Sequence, residues 1–252
     1  MNSRKTKFLS FSLTNDNHEN IVNELVNKIL IKEKSTLNCI NPHSYTVSKT
    51  NLTFRNALLN SNYLIPDGVG VTVASKFIFR NKVVRVTGYD IFKSLLEQSA
   101  EHKFKFFFLG STPQTLNKIQ KKFTQENENL IYAGHYSPPF SESFSDSEIK
   151  KMVDRIKIAK PDVVMVGLTA PKQEVLSAEL IKLTDASLYC SIGAVFDFYA
   201  ENVKPANKYI KNFGLEWLLR LIQEPKRLWK RTLISMPIFI VDVLKFKFGA
   251  KN

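Results

Sequence analysis

The sequence predicts an α/β protein with a mostly parallel sheet flanked by helices. Apolar runs of strand length recur along the chain, longer amphipathic stretches separate them, and polar residues follow the ends of four runs. Strands that alternate with helices form parallel units, because a parallel pair needs a long crossover connection. With 252 residues and 44% hydrophobic residues, the chain is long enough to bury a substantial core.

Six segments are predicted strands and six are predicted helices. The strands cover 35–42, 62–68, 104–110, 129–134, 161–168 and 186–193. The helices cover 16–33, 44–59, 88–102, 112–126, 146–160 and 171–184. Another helix is expected after the tight turn at Pro66, Asp67 and Gly68, where proline fixes φ and glycine tolerates conformations forbidden to other residues. The expected fold is a Rossmann-like sheet.

The C-terminal segment differs in composition from the rest of the chain. Residues 208–252 carry ten Lys or Arg and three Asp or Glu, which is +7 of the net charge of +13. We therefore predict an α/β core, 1–207, and a basic amphipathic helical appendage, 208–252. The apolar stretch 233–244 is interrupted by Pro237 and Asp242 and is shorter than the roughly 20 residues that span a bilayer. We expect the appendage to lie on an anionic membrane surface or to dock on the core.

The cysteines and the N-terminus favour a cytoplasmic protein. Cys39 and Cys190 lie in apolar runs, where they are expected to be reduced core residues. The N-terminal apolar run is too short for a signal peptide. The four histidines lack the spacing of metal ligands, so no metal site is predicted.

Residues that follow the predicted strand ends, or lie in the first turn of the next helix, are the candidates for chemistry. They are Asn41, Asp67, Gly110, Ser111, Lys172 and Gln173. An Asn or Asp beside proline or glycine also serves as a turn or capping residue, so that role stays open for the first two. Two helix N-termini at one sheet edge, with cations from the tail, suit a diphosphate. The sequence lacks both G-x-G-x-x-G and the P-loop pattern.

Seven segments occur in a recognisable order and spacing. They are NPHS (41–44), PDGVGV (66–71), RVTGYD (85–90), FFLGSTP (107–113), PDVVMVGLTAPKQE (161–174), SIGAVFDFYA (191–200) and GLEWLLRLIQEPKRLWKR (214–231). Together they resemble the bacterial WecG/TagA/CpsF glycosyltransferases, glycosyltransferase family 26. The resemblance covers nearly the whole chain.

The resemblance implies an inverting, metal-independent transfer of a sugar from a UDP donor to an undecaprenyl-diphosphate-linked saccharide. The reaction would serve bacterial surface polysaccharide or teichoic acid synthesis, at the inner face of the cell membrane. The implied sugar is N-acetylmannosamine or a relative, with glucose or a uronic acid as alternatives. No cofactor is implied. The implied partners are the UDP-sugar, the lipid-linked acceptor and an anionic membrane surface, and a homo-oligomer is left open.

The resemblance also implies roles for single residues. Asp67 matches the catalytic base and Asn41 a residue of the substrate pocket, while Lys172 and Gln173 belong to the motif PKQE of the nucleotide-sugar pocket. The basic residues matching those that close over the diphosphate are Arg220, Arg227, Lys230 and Arg231. One positioned carboxylate is enough for an inverting transfer. Because the chain has no D-x-D pair for Mg²⁺, the leaving UDP needs cations or backbone dipoles.

The sequence departs from the family pattern around the expected donor site. Cys39 replaces a common threonine, Ser111 and Ala194 each replace the second glycine of a Gly-Gly pair, and Glu201 replaces a glycine. An inactive relative is therefore one alternative. A non-catalytic basic module that binds nucleic acid or an anionic surface is another, because a charge of +13 would explain such binding directly. The chain has no recognisable nucleic-acid motif, so nucleic acid is not a predicted partner.

Overall fold

The structure is a computed structural model that describes residues 3–79, 83–203, 229 and 231–249, with the backbone alone at 231 and 232. The strands are β1 (Lys5–Phe8), β2 (Phe11–Thr14), β3 (Ser35–Ile40), β4 (Tyr63–Pro66), β5 (Lys105–Gly110), β6 (Ile131–Tyr136), β7 (Val163–Gly167) and β8 (Leu188–Ser191). The helices are α1 (His18–Leu30), α2 (Pro42–Ser48), α3 (Leu52–Leu59), α4 (Val69–Phe79), α5 (Gly88–His102), α6 (Pro113–Glu126), α7 (Asp146–Ala159), α8 (Lys172–Leu183), α9 (Val195–Tyr199) and α10 (Met236–Phe248). A π-helical turn, Arg231–Ser235, precedes α10.

Six strands form one parallel sheet in the order β4-β3-β8-β7-β5-β6. Its central strands are apolar on both faces, because helices cover both sides of the sheet. In β5, Phe106 and Phe108 face one apolar cluster with α1, α5, α6 and α9, whereas Phe107 and Leu109 face another with α7 and α8. The predicted α/β fold with a Rossmann-like parallel sheet is confirmed.

One predicted helix differs from the structure, and one hairpin was not predicted. The single helix predicted at 44–59 is wrong, because the chain leaves the helix after Ser48 and begins α3 at Leu52. Asn51 is the N-cap of α3, and its side chain accepts a hydrogen bond from the backbone N–H of Phe54 at 2.9 Å. This side-chain bond lets a new helix start at Leu52 instead of continuing α2. The antiparallel hairpin of β1 and β2 was not predicted.

Helix α10 docks on the core beside α2 and α4. Phe239 is 2% exposed, and its ring lies 5.4 Å from that of Tyr45 in a third apolar cluster. Lys49 pairs with Asp242 at 2.5 Å. Pro237, which the sequence suggested as an interruption, lies in the first turn of α10, where a helix needs no N–H donor.

No helix among the described residues is both long and apolar enough to cross a membrane. The amphipathic pattern expected at 215–222 lies outside the described residues. The boundary between core and appendage, at residues 207 and 208, lies there too and stays a prediction.

Candidate active site

A cavity of about 1010 Å³ opens at the carboxyl ends of the neighbouring strands β4, β3, β8 and β7. Its wall includes the polar residues Asn41, Asp67, Arg85, Thr87, Gln173 and Glu174. This edge of an open α/β sheet is where ligands bind, because the loops after the strands diverge there. Three of the six predicted site residues at strand ends therefore meet in one cavity.

Asp67 stands at the rim of the sheet. Its backbone N–H donates to the carbonyl oxygen of Ile40 at 2.9 Å, which extends the pairing of β3 and β4 by one residue. Gly68 follows with φ of +84°, a conformation that favours glycine, and so turns the chain into α4. The strand pairing and the turn together hold the Asp67 carboxylate in the cavity wall.

Cys39 shares the cavity wall with the carboxylates of Asp67 and Glu174. Burial raises the pKa of its thiol well above the usual value, and the nearby charges of Asp67 and Glu174 raise it further. The thiol is therefore protonated at neutral pH and is a poor nucleophile.

Asn41 combines a capping role with a place in the cavity. Its Oδ1 accepts hydrogen bonds from the N–H groups of His43 and Ser44, each at 3.0 Å, and so caps α2. Ser44 Oγ accepts in return from the N–H of Asn41 at 2.8 Å, which completes a capping box. The cap fixes the side chain through Oδ1. Its Nδ2 has no hydrogen-bond partner among the described residues and is the donor that Asn41 offers to a ligand.

Gln173 lies in the first turn of α8, and its amide is held in one orientation. Its Nε2 donates to Glu174 Oε1 at 2.9 Å and to the carbonyl oxygen of Ser191 at 3.4 Å. Both partners are acceptors, so the amide nitrogen and not the oxygen must face them. Gln173 Oε1 is buried and has no hydrogen-bond partner within the described part of the chain.

Gly193 leaves room for the amide oxygen of Gln173. A Cβ atom at this position would lie 2.8 Å from Oε1, and the φ of Gly193 is +30°. An unsatisfied buried acceptor costs about 1–3 kcal/mol. A ligand that brings a hydrogen-bond donor to this point would remove that cost.

Two charged residues of the cavity wall were missing from the predicted site. Arg85 lies in the loop between α4 and α5, and among the described residues it is the one Lys or Arg that lines the cavity. Its motif, RVTGYD, was part of the resemblance and was the available indication. Glu174 is 1% exposed and adjoins Gln173 in PKQE, but only the fold shows that its side chain faces inward.

Lys172 points away from the cavity. It donates to the carbonyl oxygen of Ser141 at 2.6 Å and lies over the ring of Phe140. Gly110 ends β5 and Ser111 follows it, and neither residue lines the cavity. Gly110 allows a close approach to Gly167, whose oxygen would lie 2.6 Å from an added Cβ. Contact between these three residues and a diphosphate stays a prediction.

The predicted basic residues of the tail fall in a part of the chain that the structure does not describe. Arg220, Arg227 and Lys230 lie outside the described residues, as does the side chain of Arg231. Downstream of them, α10 contributes Met236, Phe239, Ile240, Val243 and Leu244 to the cavity wall. Within the described residues, no group of three His, Cys, Asp or Glu side chains could hold a metal ion.

Comparison with known proteins agrees with the sequence motifs. The chain matches the "Glycosyl transferase WecG/TagA/CpsF family" over residues 6–252. It is 30% identical over 208 residues to a Bacillus spizizenii protein named N-acetylglucosaminyldiphosphoundecaprenol N-acetyl-beta-D-mannosaminyltransferase, covering 81% of this chain and 77% of that protein. It is 30% identical over 221 residues to the Bacillus subtilis protein of the same name, covering 86% of this chain and 82% of that protein.

These matches confirm the predicted family and the prediction of an enzyme, against the alternative of a non-catalytic module. The chain belongs to the WecG/TagA/CpsF family of glycosyl transferases.

Proposed function

We propose that this glycosyltransferase moves N-acetylmannosamine or a related sugar from a UDP donor to an undecaprenyl-diphosphate-linked saccharide, with inversion and without a metal ion. The observation that carries the proposal is the position of Asp67, a carboxylate fixed at the sheet rim in the wall of the large cavity. The names of the relatives support the acceptor and the sugar, since both are mannosaminyltransferases that act on a diphosphoundecaprenol-linked N-acetylglucosamine.

Asp67 serves as the general base in the proposed reaction. Its carboxylate takes the proton of the acceptor hydroxyl while that oxygen attacks the anomeric carbon of the donor. The bond from the anomeric carbon to the UDP oxygen breaks at the same time, and the electron pair leaves with UDP. Attack from the face opposite the leaving group inverts the anomeric configuration, so one base is sufficient.

The departing UDP carries additional negative charge that the protein must balance. Arg85 in the cavity wall is one source, because a guanidinium binds phosphate oxygens through two parallel hydrogen bonds. The tail residues Arg220, Arg227, Lys230 and Arg231 are proposed as further sources, on the basis of the sequence motif alone. Cations that act directly on the diphosphate take the place of Mg²⁺ in this proposal.

Two amide side chains in the cavity wall complement an acetamido sugar. Such a group presents one N–H donor and one carbonyl acceptor. Gln173 offers the acceptor Oε1 with its amide locked, and Asn41 offers the donor Nδ2. These two side chains support a donor with an N-acetyl group over glucose.

We also propose that the enzyme works at the cytoplasmic face of the membrane as a peripheral protein. The net charge of +7 on residues 208–252 supports attraction to anionic lipids. On α10, the exposed apolar residues Phe246 and Phe248 alternate with Lys245 and Lys247, a combination found at membrane interfaces.

The substitution Asp67→Asn tests the proposed base. We expect transfer from a UDP-sugar to a diphosphate-linked N-acetylglucosamine acceptor to fall by at least about 100-fold, the scale of general-base loss. UDP binding and the thermal midpoint should persist, because the amide keeps the shape of the side chain. Asp154→Asn, at an exposed position of α7, is the matched control and should keep full turnover. Unchanged turnover of the Asp67 variant would contradict the mechanism.

Two further measurements address inversion and metal independence. The anomeric configuration of the product, determined by NMR, should be opposite to that of the donor. Transfer should also continue after treatment with EDTA. Loss of activity that added Mg²⁺ restores would refute metal independence while leaving the base assignment in place.

A further inference from the structure

The large cavity has one polar side and one apolar side. The polar side holds Asn41 and Asp67 after β3 and β4, as described above. The apolar side lies between α4 and α10, and its lining residues are Val69, Val73, Ala74, Phe77, Met236, Phe239, Ile240, Val243 and Leu244. We call this side the α4–α10 groove. The two sides belong to one continuous space, so a ligand that fills it must be polar at one end and apolar at the other.

The groove exposes apolar side chains that helix docking leaves uncovered. Phe239 and Val243 are the buried stripe that holds α10 on the core, at 2% and 6% exposed. Ile240 and Leu244 form a neighbouring stripe four residues apart, and they are 48% and 42% exposed. The buried stripe anchors the helix, and within the described part of the chain the second stripe stays partly exposed on the cavity side of α10.

Helix α4 supplies the opposite wall with the same spacing. Val73 is 60% exposed and Phe77 is 43% exposed. Val69, Val73 and Phe77 follow one another at intervals of four residues, so they lie along one face of the helix. The distance along α4 from Val69 to Phe77 is about 12 Å at the rise of an α-helix. Both walls of the groove are therefore lined with apolar side chains over several ångströms.

The polar end of the groove lies where three elements meet. A Cβ added at Gly70 would come within 2.5 Å of Pro42 Cγ and 3.8 Å of Met236 Cε. Helices α2, α4 and α10 thus converge directly after the turn that carries Asp67. At the other end, the rings of Phe77 and Phe248 lie 6.0 Å apart, which keeps α4 and α10 together. The groove runs outward from the reacting end of the cavity.

We propose that the α4–α10 groove binds the first isoprenoid units of the polyprenyl chain of the acceptor. The inference rests on the proposed function, because it assigns a place to one part of that substrate. A polyprenyl diphosphate joins a charged head to a branched apolar chain, and the cavity offers both environments in that order. Removal of the chain from water supplies binding energy in proportion to the apolar area covered. A bilayer surface is the competing occupant, and it would contact the outer side of α10 as well.

The test compares two acceptors with the same saccharide and diphosphate, one on a five-carbon and one on a fifteen-carbon prenyl chain. Transfer is measured without vesicles, and the readout is the ratio of kcat/KM for the long chain to that for the short chain. We expect a ratio of about 10 or more for the unchanged enzyme, because the longer chain buries more apolar surface. Val73→Asn and Ile240→Asn should bring the ratio close to one.

Val241→Asn is the matched control. Val241 is 47% exposed on the same helix as Ile240 but does not line the cavity, so its ratio should stay at the unchanged value. The inference is overturned if the unchanged enzyme shows a ratio of one, or if Val241→Asn lowers the ratio as far as Ile240→Asn does. In both cases transfer itself persists and the proposed function stands. Absence of transfer to either acceptor would instead overturn the proposed function together with the inference.

Discussion

The substitution Gln173→Glu tests how strongly a second buried carboxylate destabilises the fold. The substitution replaces an N–H₂ group that donates to Glu174 Oε1 at 2.9 Å by a carboxylate oxygen of nearly the same size. Both side chains are buried, at 7% and 1% exposed, so solvent cannot separate the two negative charges. One of the two carboxyl groups must then take up a proton for the fold to persist.

The magnitude follows from comparing two costs. Two unit charges 2.9 Å apart repel by about 6 kcal/mol at an effective dielectric constant of about 20. Protonation of one glutamate with an ordinary pKa of about 4.3 costs about 3.7 kcal/mol at pH 7 and about 1 kcal/mol at pH 5. Protonation is the smaller cost, so it sets the loss of stability.

The sign of the pH dependence follows from the same argument. The carboxyl introduced by Gln173→Glu has its pKa raised in the folded state, so the penalty is absent well below the unfolded pKa and grows as the pH rises. Relative to the unchanged protein, the variant loses some unfolding free energy at each pH. We expect this loss to be about 3 kcal/mol larger at pH 7 than at pH 5. Urea unfolding at the two pH values measures this difference.

The control is Gln120→Glu on the exposed surface of α6, which introduces the same charge in water. Its stability should change by less than about 0.5 kcal/mol at either pH. A loss of stability in Gln173→Glu that does not depend on pH would refute the argument. It would mean that Gln173 and Glu174 do not contact each other as an amide and a carboxylate.

Two further predictions concern single residues elsewhere in the molecule, and a third concerns the removal of metal ions. Ser111, with φ of +58°, occupies a conformation that favours glycine, so Ser111→Gly should raise the unfolding free energy by up to about 1 kcal/mol; a lower thermal midpoint would contradict this. Phe239→Ala should release α10 from the core, because it removes the main buried side chain of that helix; hydrogen exchange of 236–248 should rise by at least about tenfold. Phe246→Ala, at a position 47% exposed, is the control, and equal exchange in both variants would show that Phe239 does not anchor the helix. Chelation by EDTA should leave transfer unchanged, as argued above.

The sheet was predictable from sequence because each central strand is a short apolar run, buried on both faces, that ends at glycine or a polar residue. The predicted strand at 161–168, for example, contains β7 at Val163–Gly167. The break between α2 and α3 was not predictable from periodicity, since it depends on the side chain of Asn51 competing for backbone N–H groups. The hairpin of β1 and β2 was missed because two strands of four residues give too short an alternation.

The candidate site was predictable where it follows strand ends, and less so elsewhere. Asn41, Asp67 and Gln173 all line the cavity. The same rule also selected Ser111, which the cavity lining does not include, because the position of a strand in the sheet order is absent from the sequence. Arg85 belongs to a loop between two helices, and only the tertiary structure brings that loop to the sheet edge.

The thiol of Cys39 is a natural labelling position in the wall of the candidate substrate pocket. The chain has two cysteines, and Cys190 is fully buried, whereas Cys39 is partly accessible in the cavity wall. Alkylating reagents that require a thiolate should therefore react slowly with Cys39 at neutral pH and faster as the pH rises. A bound nucleotide or acceptor would shield it, so the labelling rate becomes a direct measure of occupancy without any engineered tag.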